Sequence, residues 1–218
     1  MGARIFPVDN FLGRAITGVI DLDSDTIKAA LVQSTVPKNA NYYIWFGSAT
    51  VQAGQIWVPT TDNGHRYIAI IGGVTAQSEP TWPKTALETV TDGTVTWQEF
   101  GGLLADKSIW GDVSAYEVGE GDGYTSGGLP VTLSLTNEVM TVEGKARTVA
   151  KIDASDLEWE DLTKTFRYLW IYKSGTVGAI VNPLVGYVLL DTTPADVVVS
   201  GSTFRVVWHV DGVYHFVT

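Results

Sequence analysis

Histidine is the usual acid–base group near neutral pH, and this sequence holds only three, His65, His209 and His215, with no cysteine to add thiol chemistry. His65 follows an Asn-Gly turn. His209 and His215 flank Asp211-Gly212, the two-residue signature of a type I′ hairpin joining Phe204–Val210 to Val213–Val217. That register sets Val210 opposite Val213, His209 opposite Tyr214 and Trp208 opposite His215. Successive pairs alternate sides, so His209 and His215 point apart. A shared metal or a base with its orienting partner is therefore awkward, and the expectation is no enzyme, no catalytic residue, no metal and no cofactor.

The acidic clusters are no more persuasive. Asp21-Leu22-Asp23-Ser24-Asp25 places oxygens as the opening of a calcium loop does, but Thr26 and Val32 stand where that loop needs Gly and Glu. It reads as a solvated turn before a strand. Glu117, Glu120 and Asp122 border the glycine-rich run 121–128, and a glycosidase would need two carboxylates held roughly 5–10 Å apart in a cleft. Nothing in the sequence builds the cleft. The run also lacks the Lys-Ser/Thr and following helix of a phosphate loop, so it is expected to be a flexible loop used between subunits.

Aromatic residues give the more specific signal. Trp45, Trp57, Trp82 and Trp97 put half of the eight tryptophans into a minority of the chain. Sugar rings pack their CH faces on Trp and Tyr. Trp57, Tyr67, Trp82 and Trp97 are thus candidates for a glycan-binding strip, with Asp62, Asn63, His65 and Arg66 to hydrogen-bond hydroxyls. Trp82 and Tyr67 are expected to be the exposed members. A small module also needs large side chains for its own core, which is the competing use of the same residues.

Acidic residues outnumber basic ones 24 to 14, a net charge of −10. Nucleic-acid affinity comes mainly from Lys and Arg releasing counterions, so no nucleic-acid partner is expected. A chain of 218 residues, 45 % hydrophobic and 17 % charged, should fold on its own. The N-terminal residues contain no apolar run of signal-peptide length, and no stretch approaches the roughly 20 apolar residues of a membrane span. The expectation is a protein neither secreted by a signal peptide nor inserted in a membrane.

The elements follow from periodicity. Phe11 to Ile20 has near-helical apolar spacing, with Asp9 or Asn10 as cap. Thr26–Val32 reads as a strand. Residues 43–102 differ in texture: short β-prone runs alternate with turns at Asn63-Gly64, Gly72-Gly73 and Asp92-Gly93, and two prolines stiffen Glu79–Pro83 around Trp82. Beyond Asp106, Val131–Leu135, Val139–Val142 and Thr148–Ile152 alternate as strands do. Asp153–Asp161 reads as an acidic connection. Tyr168–Tyr172 and Leu184–Leu190 are apolar on both sides, which suits either the middle of a sandwich or a contact with other copies or a shell. The fold expected is all-β: an antiparallel β-sandwich core, residues 1–42 plus 103–218, with one short N-terminal helix and a small β module inserted at 43–102.

Two resemblances sharpen this. VPTTDNGHRYIAIIGG, SEPTWP and VTDGTVTWQEFG, within 43–102, resemble a carbohydrate-binding-like module that recurs in tail and capsid-associated proteins of tailed bacteriophages. Its usual aromatic-rich lead-in is reduced here to VQAGQIWVP. The flanking blocks DLDSDTIKAALVQSTVPKNA, WGDVSAYEVGEGDGYTSGGLPVT, DLEWEDLTKTFRYLWIYK and PLVGYVLLD resemble a family of small all-β bacteriophage virion proteins. The resemblance implies a virion structural protein assembled in the host cytoplasm. It further implies a capsid decoration role, in which the core binds the major capsid protein and copies of itself, and the module projects outward towards host-surface glycans. A neck or tail-associated protein and a glycan-binding lectin are the alternatives.

Overall fold

A computed structural model describes residues 3–142, 145–210 and 212–217. The chain divides into two compact units. Unit 1 comprises residues 1–36, 107–191 and 195–218, and unit 2 comprises Pro37–Asp106 with Thr192–Pro194. Both are all-β and almost wholly antiparallel.

In chain order, β1 (Phe6–Pro7), α1 (Phe11–Ile16) and β2 (Ile27–Val32) open unit 1. The helix is shorter than its apolar spacing suggests, because Gly18 turns left-handed and the amides of Val19 and Ile20 fold back onto the Arg14 carbonyl. Asn10 precedes the helix without capping it; its side chain donates to Ser108 Oγ at 2.9 Å. Unit 2 then supplies β3 (Tyr43–Ile44), β4 (Thr50–Val51), β5 (Ile56–Val58), β6 (His65–Ile71), β7 (Gly73–Val74), β8 (Thr89–Asp92) and β9 (Val95–Gly102). Unit 1 resumes with two 3-10 turns, Trp110–Asp112 and Ser114–Tyr116. Its remaining strands are β10 (Leu129–Val131), β11 (Leu133–Val142), β12 (Lys145–Ala154), β13 (Leu157–Phe166), β14 (Tyr168–Lys173), β15 (Thr176–Val177), β16 (Ile180–Val181), β17 (Leu184–Leu189), β18 (Val197–Val206) and β19 (Tyr214–Val217).

Unit 1 is sandwich-like. A five-stranded sheet in the order β1-β17-β14-β2-β10 and a three-stranded sheet β11-β12-β19 meet across a common apolar layer. Ile27, Ile171 and Val185 of the first sheet and Leu133 and Ile152 of the second line a gap of only about 20 Å³ between them, roughly the room for one water-sized sphere. The apolar runs at β14 and β17 are central strands buried on both faces, so the structure assigns them to the core. They are not the spare contact surface that an association with other copies would use.

Two strand expectations are corrected. The acidic stretch around Trp159 is not a connection but β13, paired with β18. Leu157, Trp159, Leu162 and Phe166 are buried while Glu158, Glu160 and Asp161 are exposed, and a bulge with Asp161 at φ 49° shifts the period midway. Among the described residues the C-terminal hairpin does not form. β18 pairs with β13, Trp208 bridges to Ala3, and β19 pairs with β12 (Val149 opposite Val217, Ile152 opposite Tyr214). Pairing with distant strands overrides the local Asp-Gly signal; Asp211 itself lies outside the described residues.

Unit 2 has a sheet of order β3-β5-β6-β9-β8 and a small β4–β7 pair, whose Val51 joins the buried cluster of Trp57, Tyr67 and Trp97. Asp92 pairs with Val95, so the two-residue loop is Gly93-Thr94, one position later than the sequence motif suggests. Gly93 takes φ 62°, as the first residue of a type II′ turn requires, and a Cβ there would collide with the Val74 carbonyl.

The host chain closes on itself where unit 2 departs. The Gln33 amide donates to the Tyr116 carbonyl at 2.9 Å, the Val118 amide to that of Leu31 at 3.0 Å, and Val32 bridges Glu117. Both ends of the interruption are thus stitched together within unit 1.

Candidate functional site

The eight residues expected to hold a sugar all lie in unit 2, and most of them form its core. Cross-strand register puts Trp57 opposite Tyr67 and Ala69 opposite Trp97 on one face of the sheet. Trp57, Tyr67 and Trp97 retain only 2 %, 0 % and 0 % of their surface. Trp82, half-buried, closes the cluster at 4.3 Å from the Tyr67 ring and 5.7 Å from Trp97. The exposure expected of Tyr67 is therefore corrected: a module this small spends its large rings on its own interior.

The polar members are engaged as well. The Tyr67 hydroxyl donates to the Pro83 carbonyl and accepts from Asn63 Nδ2, each at 2.8 Å, and burial pushes its pKa up. Trp82 Nε1 donates to Glu79 Oε1 at 2.8 Å, which fixes the ring on its proline-stiffened loop. Arg66 is buried and donates to the Phe100 carbonyl and the Tyr42 hydroxyl. His65 Nδ1 lies 2.8 Å from Glu99 Oε1, and that oxygen also accepts the Gly101 amide. This is a buried structural pair that ties β6 to β9.

Asp92 was missed by the sequence reading. Its buried carboxylate accepts Trp45 Nε1 at 2.8 Å, Trp97 Nε1 at 3.0 Å and the Ala76 amide at 2.8 Å. One side chain thereby satisfies two tryptophans and the loop that follows β7. Tyr43 and Phe46 were missed too. They are 49 % and 58 % exposed, and each stacks on Trp57, at 5.4 and 5.5 Å. Phe46 sits in a tethered loop, with its carbonyl accepting Thr75 Oγ1 and the Ser48 amide donating to Ala76. Tyr43 and Phe46 thus form one exposed aromatic patch around Trp57, while Phe100, 40 % exposed, lies under the Arg66 guanidinium instead. The aromatic run Tyr42–Phe46 was the signal for the patch.

The remaining candidates resolve as structure. Lys173 Nζ sits 2.7 Å from Asp25 Oδ1 and donates to the Val19 carbonyl, so an ammonium already serves the Asp21–Asp25 turn. Ser24 and the Asp23 amide hydrogen-bond Asp21 and lower its pKa. The glycine-rich run is a tied loop rather than a loose one. Glu117 Oε1 accepts the Tyr124 hydroxyl at 2.7 Å and the Gly127 amide at 2.6 Å; Tyr124 in turn accepts the Leu31 amide. Asp122 pairs with Lys164 at 3.2 Å. His209 lies beside Arg4, 3.0 Å from its guanidinium. The side chain of His215 is outside the described ones. Among the described residues no three His, Asp or Glu converge as a metal site.

Comparison with family models, curated proteins and solved structures returns no match.

Proposed function

We propose that this chain is a structural protein of a bacteriophage particle, acting as a capsid decoration protein. In this reading unit 1 docks on the major capsid protein and unit 2 makes weak, repeated contacts with host-surface glycans. The observation that carries it is the closure of the host chain at Gln33 and Tyr116. It leaves two separately cored β units on one polypeptide, one able to dock while the other is free to touch a second surface. The motif blocks along both units, which resemble virion proteins, support the same reading. So does the engagement of His65, Glu99 and Glu117 in structural hydrogen bonds.

The glycan contact falls to Tyr43 and Phe46. Two rings supply millimolar affinity, about 4 kcal/mol, which becomes useful when many copies act together. A neck or tail-associated protein is the rival within the same class.

Immuno-electron microscopy of particles carrying an epitope in the Asp62–Gly64 turn tests the reading. Decoration gives label over the whole shell, consistent with hundreds of copies, whereas a neck ring gives one focus of about a dozen. Particles that carry no label overturn both.

A further inference from the structure

Strand β11 is a long, regular sheet border. It pairs with β12 through ten consecutive residues without a bulge, and among the described residues no strand pairs with its other side. Proteins blunt such borders with Pro, Lys, bulges or short length, because a row of open amides and carbonyls templates another strand. The β11 sequence, LSLTNEVMTV, contains no Pro, Lys or Gly. β18 is equally long, but Gly201 at φ 54° and two register shifts in its ladder interrupt it.

The face of β11 carries a second indication. Leu133, Leu135, Asn137 and Val139 share one side by the period of two. Leu133 lines the inter-sheet gap with Ile152 and Ala154. Further along the same side, Leu135 and Val139 are 63 % and 73 % exposed. The core-facing surface of this hairpin thus continues, apolar and uncovered, beyond the core.

Charge and symmetry identify what covers it. Residues 133–154 hold three acids (Glu138, Glu143, Asp153) and three bases (Lys145, Arg147, Lys151), so the whole net charge of −10 resides elsewhere. Two acidic copies repel generally but meet without penalty here. A two-fold axis at Asn137 sets Leu135 of one copy opposite Val139 of the other, Thr136 opposite Glu138, and Asn137 opposite itself. No like charges face each other. Centring one residue later would oppose the two Glu138 carboxylates.

We propose that two copies of this chain pair antiparallel through β11, centred on Asn137, giving a continuous sheet with three strands from each copy. The pairing requires only this sheet and stands apart from the particle reading.

The absence of native cysteine makes the test direct. Residues directly opposed in an antiparallel pair have Cα atoms about 4.5–5.5 Å apart, within disulfide reach. Asn137→Cys should yield a covalent dimer under mild oxidation, reversed by reductant, while Ser200→Cys on β18 should not. Light scattering of the unmodified chain should give twice its 23.6 kDa mass. The double variant Leu135→Lys/Val139→Lys should weaken the dimer at least tenfold with an unchanged circular dichroism spectrum; if that variant misfolds, the exposed Asn137→Cys change still decides. A chain that stays monomeric at about 100 µM, or one that cross-links through Ser200→Cys instead, overturns the pairing. A monomer that still labels particles would sink this inference and leave the proposed function standing.

Discussion

Asp92 gathers three donors of unit 2 on one buried carboxylate. Its replacement by Ala leaves two indole N–H groups and one amide buried without acceptors, each worth about 1–3 kcal/mol. Asp92→Ala should therefore destabilise unit 2 by about 3 kcal/mol or more, seen in urea titration followed by tryptophan fluorescence. Tyr67, Tyr124 and Tyr172 set the alkaline limit. Burial raises all three, Tyr172 to about 12. The folded state holds these protons more tightly than the unfolded one, so their contribution is complete below the ordinary phenol value of about 10. The Tyr172 share is lost as pH rises from there through its folded value near 12, and the shares of Tyr67 and Tyr124 persist higher still. Alkaline unfolding monitored at the tyrosinate absorbance band should fall in that window, and Tyr172→Phe should move its onset upward. At the proposed glycan surface, Tyr43→Ala/Phe46→Ala should lower binding to a multivalent glycan display at least tenfold and leave the melting temperature nearly unchanged, because both rings are half-exposed.

The glycine-rich loop makes its prediction as an element. Gly128 has φ 69°, and a Cβ there would run into the Ala29 carbonyl of β2. Gly128→Ala should cost about 3 kcal/mol in unit 1, whereas Gly119→Ala, with open space around it, should cost little; thermal melts of the two variants test the contrast. Continuous apolar runs made β2, β14 and β17 legible in the sequence, since two-sided apolar runs have few other uses. Period-two patterning missed β13, because a bulge at Asp161 and the acids on its solvent face broke the alternation. The C-terminal hairpin was misread for the opposite reason: a strong local turn signal lost to pairing partners some sixty residues away along the chain. The aromatic cluster was legible as a set. Whether those rings faced solvent or one another was not, because strand alternation gives sides and only the packed structure says which side is covered.

At the scale of the whole molecule, the closure at Gln33 and Tyr116 makes unit 2 dispensable to the host sheet's hydrogen bonding. Replacing residues 37–106 by a short Gly-Ser link should leave unit 1 folded, with a β-type circular dichroism spectrum and a single cooperative melt. The same closure bears on how the polypeptide reaches its native state. Val32 must wait for Tyr168 to complete the β2–β14 ladder, whereas the sheet of unit 2 is complete once β9 has left the ribosome. Bringing Gln33 back to Tyr116 across an unstructured coil of residues 34–115 costs about 4 kcal/mol in loop entropy. A guest that has already collapsed removes much of that cost before the host begins to assemble. Asp92→Ala should accordingly slow the refolding of unit 1 in stopped-flow experiments, although the substituted carboxylate belongs to unit 2.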